Sequence, residues 1–243
     1  MDSIGLYLLL IALGFLPSLI WLGYWLRKDN HPEPKVLIAK TLLLGIILSP
    51  IAILLQLLLA QFGAQLIGMD PKIFSDSPGF FLWAALVEEV VKYLVVYFVV
   101  LRSPEFDEPV DAMIYMLTAA LGFAAMENIL VISRVFPGDL SGMIGLWGLR
   151  FAGATLLHAL SSALLGYFIA LAWFYFPHRK PLFLAGLGLA TIFHWVFNLF
   201  ISQMHQNVSL LFSTVLLMVM AFLISVLFDK IKERDALVHA SAC

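Results

Sequence analysis

The chain has almost none of the residues that support disulfide-bonded or cysteine-ligated architectures. Its 243 residues include a single cysteine, Cys243, which argues against a disulfide framework and a cysteine-based zinc cluster. Charged residues are also few, at 12% against about 25% in soluble domains. The net charge of −2 gives no sign of a nucleic-acid partner. This composition therefore fits neither a soluble globular domain nor a nucleic-acid-binding protein.

The chain contains long runs of apolar residues. Hydrophobic residues make up 62% of the chain, and seven runs each come near or exceed the ~20 residues that a helix needs to cross a bilayer. The sequence therefore predicts an all-α fold, a polytopic transmembrane helical bundle in which a single domain fills residues 1–243. The seven predicted spans are 4–26, 38–62, 80–101, 112–134, 146–174, 182–203 and 208–228.

Basic residues are distributed unevenly between the two ends of this predicted bundle. Ten lie in the loops and tail at one end and three at the other, with Lys92 left out because it lies inside a span. Loops rich in lysine and arginine stay in the cytoplasm, so we expect the N-terminus outside and the C-terminus in the cytoplasm. The three basic residues of the outer end are Lys72, Arg134 and Arg150.

The third predicted span contains three ionisable residues, Glu88, Glu89 and Lys92. Each needs a partner, because a charge at the centre of a membrane helix costs roughly 2.5–3.5 kcal/mol on insertion scales. Glu88 and Lys92 are four residues apart, which predicts an ion pair that keeps Glu88 charged. Glu89 points about 100° away and is expected to find its partner on another helix. The alternative is a purely structural ion pair that locks two helices together.

Three further predicted spans carry polar residues at a similar depth. These residues are Glu127 in the fourth span, His158 in the fifth, and His194 and Asn198 in the sixth. With a rise of ~1.5 Å per residue, they and the glutamate pair lie roughly 8–18 Å below the outer surface. Scattered structural polar groups would not be expected to share one depth, so the pattern predicts a site.

The residue types in this polar layer suit hydrolytic chemistry. Imidazole and carboxylate suit Zn²⁺, and the metal ligands that we expect are Glu127, His158 and His194. Either Glu88 or Glu89 would act as general base on a water, while Asn198 would donate to a developing oxyanion. Without a metal, the glutamate would activate the water alone and the histidines would stabilise charge. Signatures of three other intramembrane hydrolases are missing, namely His-Glu-x-x-His, Gly-x-Gly-Asp and Gly-x-Ser-Gly.

Taken together, these motifs resemble the PrsW family of intramembrane proteases, within the superfamily of CAAX prenyl endopeptidases and bacteriocin-processing proteins. The matching pieces occur in family order over about residues 20–200. They are Asp29 with Pro32-Glu33-Pro34, Glu88-Glu89-x-x-Lys92, Phe106-Asp107-Glu108-Pro109-x-Asp111, Gly122-Phe123 with Glu127-Asn128, His158 with Gly166, and His194-x-x-x-Asn198. The resemblance implies a metal-dependent membrane endopeptidase with both glutamates and both histidines in its active site, although related enzymes are argued to use a glutamate-activated water.

The function that we expect is hydrolysis of a peptide bond in a single-span membrane protein within the lipid bilayer of a bacterial or archaeal plasma membrane. The family's name-giving role implies an anti-sigma factor as this substrate. An alternative from another class is an ion- or proton-coupled transporter, which also holds intramembrane carboxylates and histidines. Transporters usually show internal repeats, and none is visible here. A third alternative is a non-catalytic membrane scaffold.

Overall fold

The computed structural model describes residues 3–135 and 140–242, and this part of the chain is helical without any β-strand. The helices are α1 Ser3–Trp25, α2 Lys35–Ile67, α3 Pro71–Ser75, α4 Pro78–Val99, α5 Asp111–Ile132, α6 Leu140–Leu149, α7 Thr155–Phe174, α8 Arg179–Gln203 and α9 Gln206–Ala242. A π-helical segment, Arg150–Ala154, joins α6 to α7. The predicted all-α bundle is therefore confirmed.

Six helical segments are long and apolar enough to cross a bilayer, which makes this an integral membrane protein. They are Ile4–Lys28, Lys35–Ile67, Asp111–Ile132, Ser141–Phe174, Phe176–Gln203 and Gln206–Val238. Helix α4 has the length of a span, at 22 residues, but it carries three charges in its middle. The count of seven spans and the orientation of the termini stay predictions.

Helix α5 forms the centre of the bundle. It packs against α1, α2, α4 and α7, and every residue from Asp111 to Ala125 is buried. A helix that is apolar on all sides is suited to such a position, because no face of it has to meet water. The apolar windows of α1, α2, α8 and α9 are largely exposed by comparison, as expected for helices that face lipid.

Glycine allows α5 to touch two neighbouring helices backbone to backbone. A Cβ atom added to Gly122 would lie 2.1 Å from the Leu42 carbonyl oxygen of α2, and one added to Gly166 of α7 would lie 2.6 Å from the Ala112 carbonyl oxygen. Real Cβ atoms do not approach so closely. Small residues at these crossings bring α2, α5 and α7 together around the polar layer.

The loop between α1 and α2 is attached to the end of α5 that lies away from the polar layer. Tyr115 donates a 2.6 Å hydrogen bond to Glu33 Oε2, and His31 pairs with Glu108. Burial raises the pKa of Glu33 above its ordinary value, which favours the protonated form of this carboxyl. These contacts tie the two loops that carry the Pro-x-Pro and Asp-Glu-Pro motifs to each other.

Candidate active site

Glu89 is the most heavily bonded residue of the polar layer. It is fully buried, and its Oε1 accepts hydrogen bonds from Lys92 Nζ at 2.8 Å and from Ser161 Oγ at 3.0 Å. His194 Nδ1 lies 3.0 Å from the same oxygen, while Ser162 donates to Oε2 at 2.7 Å. The expected partners on other helices are therefore on α7 and α8. With both oxygens bonded, Glu89 is placed to orient its neighbours rather than to accept a proton from water.

Glu88, the adjacent residue, is bonded on one oxygen only. Gln56 of α2 donates to its Oε1 at 3.0 Å. Its Oε2 is buried and accepts no hydrogen bond from the part of the chain that the structure describes. Two imidazole nitrogens face this oxygen, His194 Nε2 at 3.6 Å and His158 Nδ1 at 3.7 Å. A buried carboxylate oxygen that accepts no hydrogen bond from the protein is expected to have another partner, such as a water or a metal ion.

The two imidazoles are held in matching orientations. Each ring has one nitrogen 3.0 Å from a carboxylate oxygen, His194 Nδ1 from Glu89 Oε1 and His158 Nε2 from Glu127 Oε2. Because an ionised carboxylate only accepts, these nitrogens carry the hydrogens. The other nitrogen of each ring lies 3.6–3.7 Å from Glu88 Oε2, and that of His158 is also 2.9 Å from Lys92 Nζ. The ring planes are nearly perpendicular, with centroids 4.9 Å apart, so two separate directions converge on one oxygen.

This geometry fits a divalent metal. One ligand atom each from Glu88, His158 and His194 lie within 4.8 Å of one another. Bonds of 2.0–2.2 Å in a tetrahedral zinc site place ligand atoms about 3.3–3.6 Å apart, close to the separations around Glu88 Oε2. Metal-ligating histidines also donate their second nitrogen to a carboxylate or carbonyl, as both do here. Lys92 Nζ lies 2.9 Å from His158 Nδ1. A metal ion bound to this nitrogen would replace the contact with Lys92.

The predicted ligand Glu127 is placed differently from that expectation. It lies on the far side of His158 from Glu88 and forms a 3.0 Å ion pair with Arg150 Nη2. The guanidinium also donates through Nε to Asn128. The structure thus groups Glu88, rather than Glu127, with the two histidines. Glu127 contacts the opposite nitrogen of the His158 ring, Nε2.

Four residues of this polar layer escaped the sequence analysis. Ser161, Ser162 and Gln56 are uncharged, and Arg150 was assigned to the surface by its position at the end of a predicted span. It lies instead in the π-helical segment, whose wider turn is frequent at functional sites. The amide of Gln56 inside an apolar span was a usable signal, because such groups need partners at membrane depth.

The polar layer forms the inner wall of a cavity of about 810 Å³. Glu88, Glu127, His158, His194 and Asn198 all line it, whereas Glu89 and Lys92 do not. Asn198 lies one helical turn beyond His194 on α8, which brings its amide to the same wall. Exposed residues at the other end of the cavity, including Ser133 and Arg134, connect it to the surface. A water and a peptide segment could therefore reach the cavity wall at Glu88.

Comparison with known proteins assigns the chain to a family. The sequence pattern of the PrsW family intramembrane metalloprotease matches residues 33–227. The chain belongs to the PrsW family. A Protease PrsW of Geobacillus kaustophilus is 32% identical over 195 residues, which are 78% of each chain. The Oceanobacillus iheyensis protein is 28% identical over 189 residues, 78% of this chain and 81% of the relative. The Clostridioides difficile protein is 38% identical over 125 residues, about half of each.

Family membership confirms the resemblance inferred from the motifs and does not favour a transporter. No solved structure matches this PrsW chain. The relatives named above are bacterial, and the chain is accordingly a bacterial integral membrane protein of a protease family.

Lys92 contacts both glutamates. Its Nζ lies 3.7 Å from Glu88 Oε2, which is the expected i,i+4 pair, and 2.8 Å from Glu89 Oε1. The shorter contact is also the hydrogen-bonded one. The expected pair with Glu88 is therefore present, and Lys92 in addition compensates the buried charge of Glu89.

We expect Lys92→Met to destabilise the protein by about 3–5 kcal/mol, because it leaves Glu89 buried without its cation. The double variant Lys92→Met with Glu89→Gln should recover part of this loss, since the charge of Glu89 is removed together with that of Lys92. Thermal unfolding of the detergent-solubilised proteins measures both. Lys180→Met, at an exposed position, removes the same charge as a control and should change stability by less than about 0.5 kcal/mol. Equal losses in the single and double variants would contradict this pairing.

Proposed function

We propose that this PrsW protein is an endopeptidase of the bacterial plasma membrane that hydrolyses a peptide bond of a single-span membrane protein inside the cavity. The observation that carries the proposal is the placement of Glu88, a residue of the cavity wall whose Oε2 is buried, accepts no hydrogen bond from the described residues and is flanked by two imidazole nitrogens. A buried carboxylate oxygen without a donor is costly to maintain, and hydrolysis gives it a use.

In this proposal Glu88 acts as the proton carrier of the reaction. A water beside Oε2 gives a proton to this oxygen as its own oxygen attacks the peptide carbonyl carbon. The carbonyl oxygen then becomes negative, and the Asn198 amide on the same wall can donate a hydrogen bond to it. When the carbon–nitrogen bond breaks, the proton held at Oε2 passes to the leaving nitrogen. Gln56 fixes Oε1 throughout and so keeps Oε2 directed at the two imidazoles.

The same centre can hold a divalent metal, for which we propose Zn²⁺. Glu88, His158 and His194 would be its ligands, and the ion would polarise the carbonyl and lower the pKa of a bound water. Glu89 and Glu127 keep the two imidazoles oriented in this form. Glu127, which also lines the cavity, is then the carboxylate that is left to accept a proton.

Glu88→Gln should lower the turnover of a reconstituted single-span substrate at least about 100-fold, because glutamine keeps the shape but cannot take a proton. The assay is mass spectrometry of new peptide termini after incubation in proteoliposomes. Glu105→Gln, an exposed carboxylate in the α4–α5 connection, is the matched control and should retain full activity. If Glu88→Gln cleaves within twofold of the wild type, Glu88 is not the reactive group.

Two ligand sets are compared: Glu88 with the two histidines, as grouped in the structure, and Glu127 with the two histidines, as expected from sequence. Zinc titration of the metal-free protein distinguishes them. We expect one Zn²⁺ per chain, with binding abolished in His194→Ala and in Glu88→Gln, and weakened about 10- to 100-fold in Glu127→Gln, where only the orientation of His158 suffers. Asn198→Ala should bind zinc as the wild type does. A larger loss in Glu127→Gln than in Glu88→Gln would favour the ligand set expected from sequence. Full activity of a metal-free, chelator-resistant enzyme would leave the Glu88-activated water as the mechanism.

A further inference from the structure

All three basic residues assigned to the outer end of the bundle line the active-site cavity. Lys72 lies on α3, Arg134 follows α5, and Arg150 lies between α6 and α7. These residues are far apart in sequence, and the ten basic residues of the opposite end contribute nothing to this cavity. Basic residues are generally scarce at the outer end of membrane proteins, so their convergence on one opening requires a reason.

Two of these three cations have no carboxylate partner among the residues that the structure describes. Arg150 is paired with Glu127, but neither Lys72 nor Arg134 forms an ion pair with any residue in the ranges 3–135 and 140–242. Asp70, the acidic residue nearest to Lys72 in sequence, uses its Oδ1 to accept from the Lys72 backbone N–H at 2.8 Å. It does not line the cavity. The exposed ends of Lys72 and Arg134 are thus available to a ligand in the cavity mouth.

The remaining lining of the cavity is largely apolar. Side chains of this kind come from α2, α4, α5, α7 and α8, and they include Ile53, Leu57, Phe80, Leu157 and Phe197. The cavity therefore presents three zones to a bound chain, a cationic rim, apolar walls and the polar catalytic wall. A peptide with an apolar stretch and nearby acidic side chains complements all three zones.

We propose that Lys72 and Arg134 form a cationic rim that selects substrates with acidic side chains a few residues from the scissile bond. This inference rests on the proposed function and adds the class of substrate. Glu88 lies ten residues into α4, ~15 Å along the helix axis, and an extended chain covers this distance in about four or five residues. Phosphate groups of lipids could also meet such a rim, but its place on the cavity that holds Glu88 favours the peptide.

The test is a binding measurement that does not depend on turnover. Glu88→Gln protein in phosphatidylcholine nanodiscs is titrated with fluorescent peptides that share an apolar segment and differ in four flanking residues, all Glu, all Gln or all Lys. We expect the Glu peptide to bind about five- to tenfold more tightly than the Gln peptide, since each exposed charge pair contributes modestly. The preference should shrink in ~0.5 M salt.

Adding Lys72→Glu and Arg134→Glu to this protein should reverse the preference toward the Lys peptide. The control pair Arg179→Glu and Lys180→Glu makes the same charge change at the opposite end of the bundle and should leave the preference for the Glu peptide unchanged. Equal binding of the three peptides would overturn the rim. Loss of phosphatidylglycerol binding in the Lys72→Glu and Arg134→Glu protein, with no change in its peptide preference, would also overturn it and would assign the rim to lipid phosphate. Charge-selective binding combined with no cleavage by the wild type would refute the proposed function and leave the rim standing.

Discussion

The structure depends on how a buried carboxylate, Glu89, is satisfied inside an apolar bundle. An ionised carboxylate without partners is prohibitively costly in such surroundings, and here it receives donors from α4, α7 and α8 at once. These bonds fix which nitrogen of His194 carries the hydrogen and where Lys92 points. The three helices can therefore meet in only one register, and the catalytic wall is set by that register.

Two adjacent glutamates acquire different tasks because their surroundings differ, a pattern known from other enzymes that use paired carboxylates. Glu89 faces two serines, a lysine and an imidazole nitrogen, and both of its carboxylate oxygens accept hydrogen bonds from them. Glu88 points 100° away around the helix toward the cavity, where Gln56 is the one donor to it among the described residues. Its second oxygen stays unbonded between two imidazoles. In the proposed function, the local sequence Glu-Glu thus supplies both a support and a reactive group.

Helix length, apolar content and depth were sufficient to predict the all-α bundle and to bring Glu88, His158 and His194 into one layer. Partner choice was not predictable, because residues three and four positions apart share a helix face. Lys92 could reach either glutamate, and serines on a neighbouring helix decided for Glu89. For a similar reason, the sequence could not predict that Glu88, rather than Glu127, lies near both histidines. This grouping depends on which ring nitrogen faces which helix, and the periodicity of one helix carries no information on that.

The most direct test of this account compares the stabilities of two neighbouring single variants, Glu88→Gln and Glu89→Gln, by thermal unfolding in the same detergent. The account predicts that Glu89→Gln is destabilised by several kcal/mol, because it breaks a buried ion pair and turns an acceptor toward Lys92, His194 and two serines into an amide. Glu88→Gln should stay within about 1 kcal/mol of the wild type, since its bonded oxygen can keep the Gln56 contact. Equal losses, or a larger loss in Glu88→Gln, would contradict the division between a supporting and a reactive glutamate.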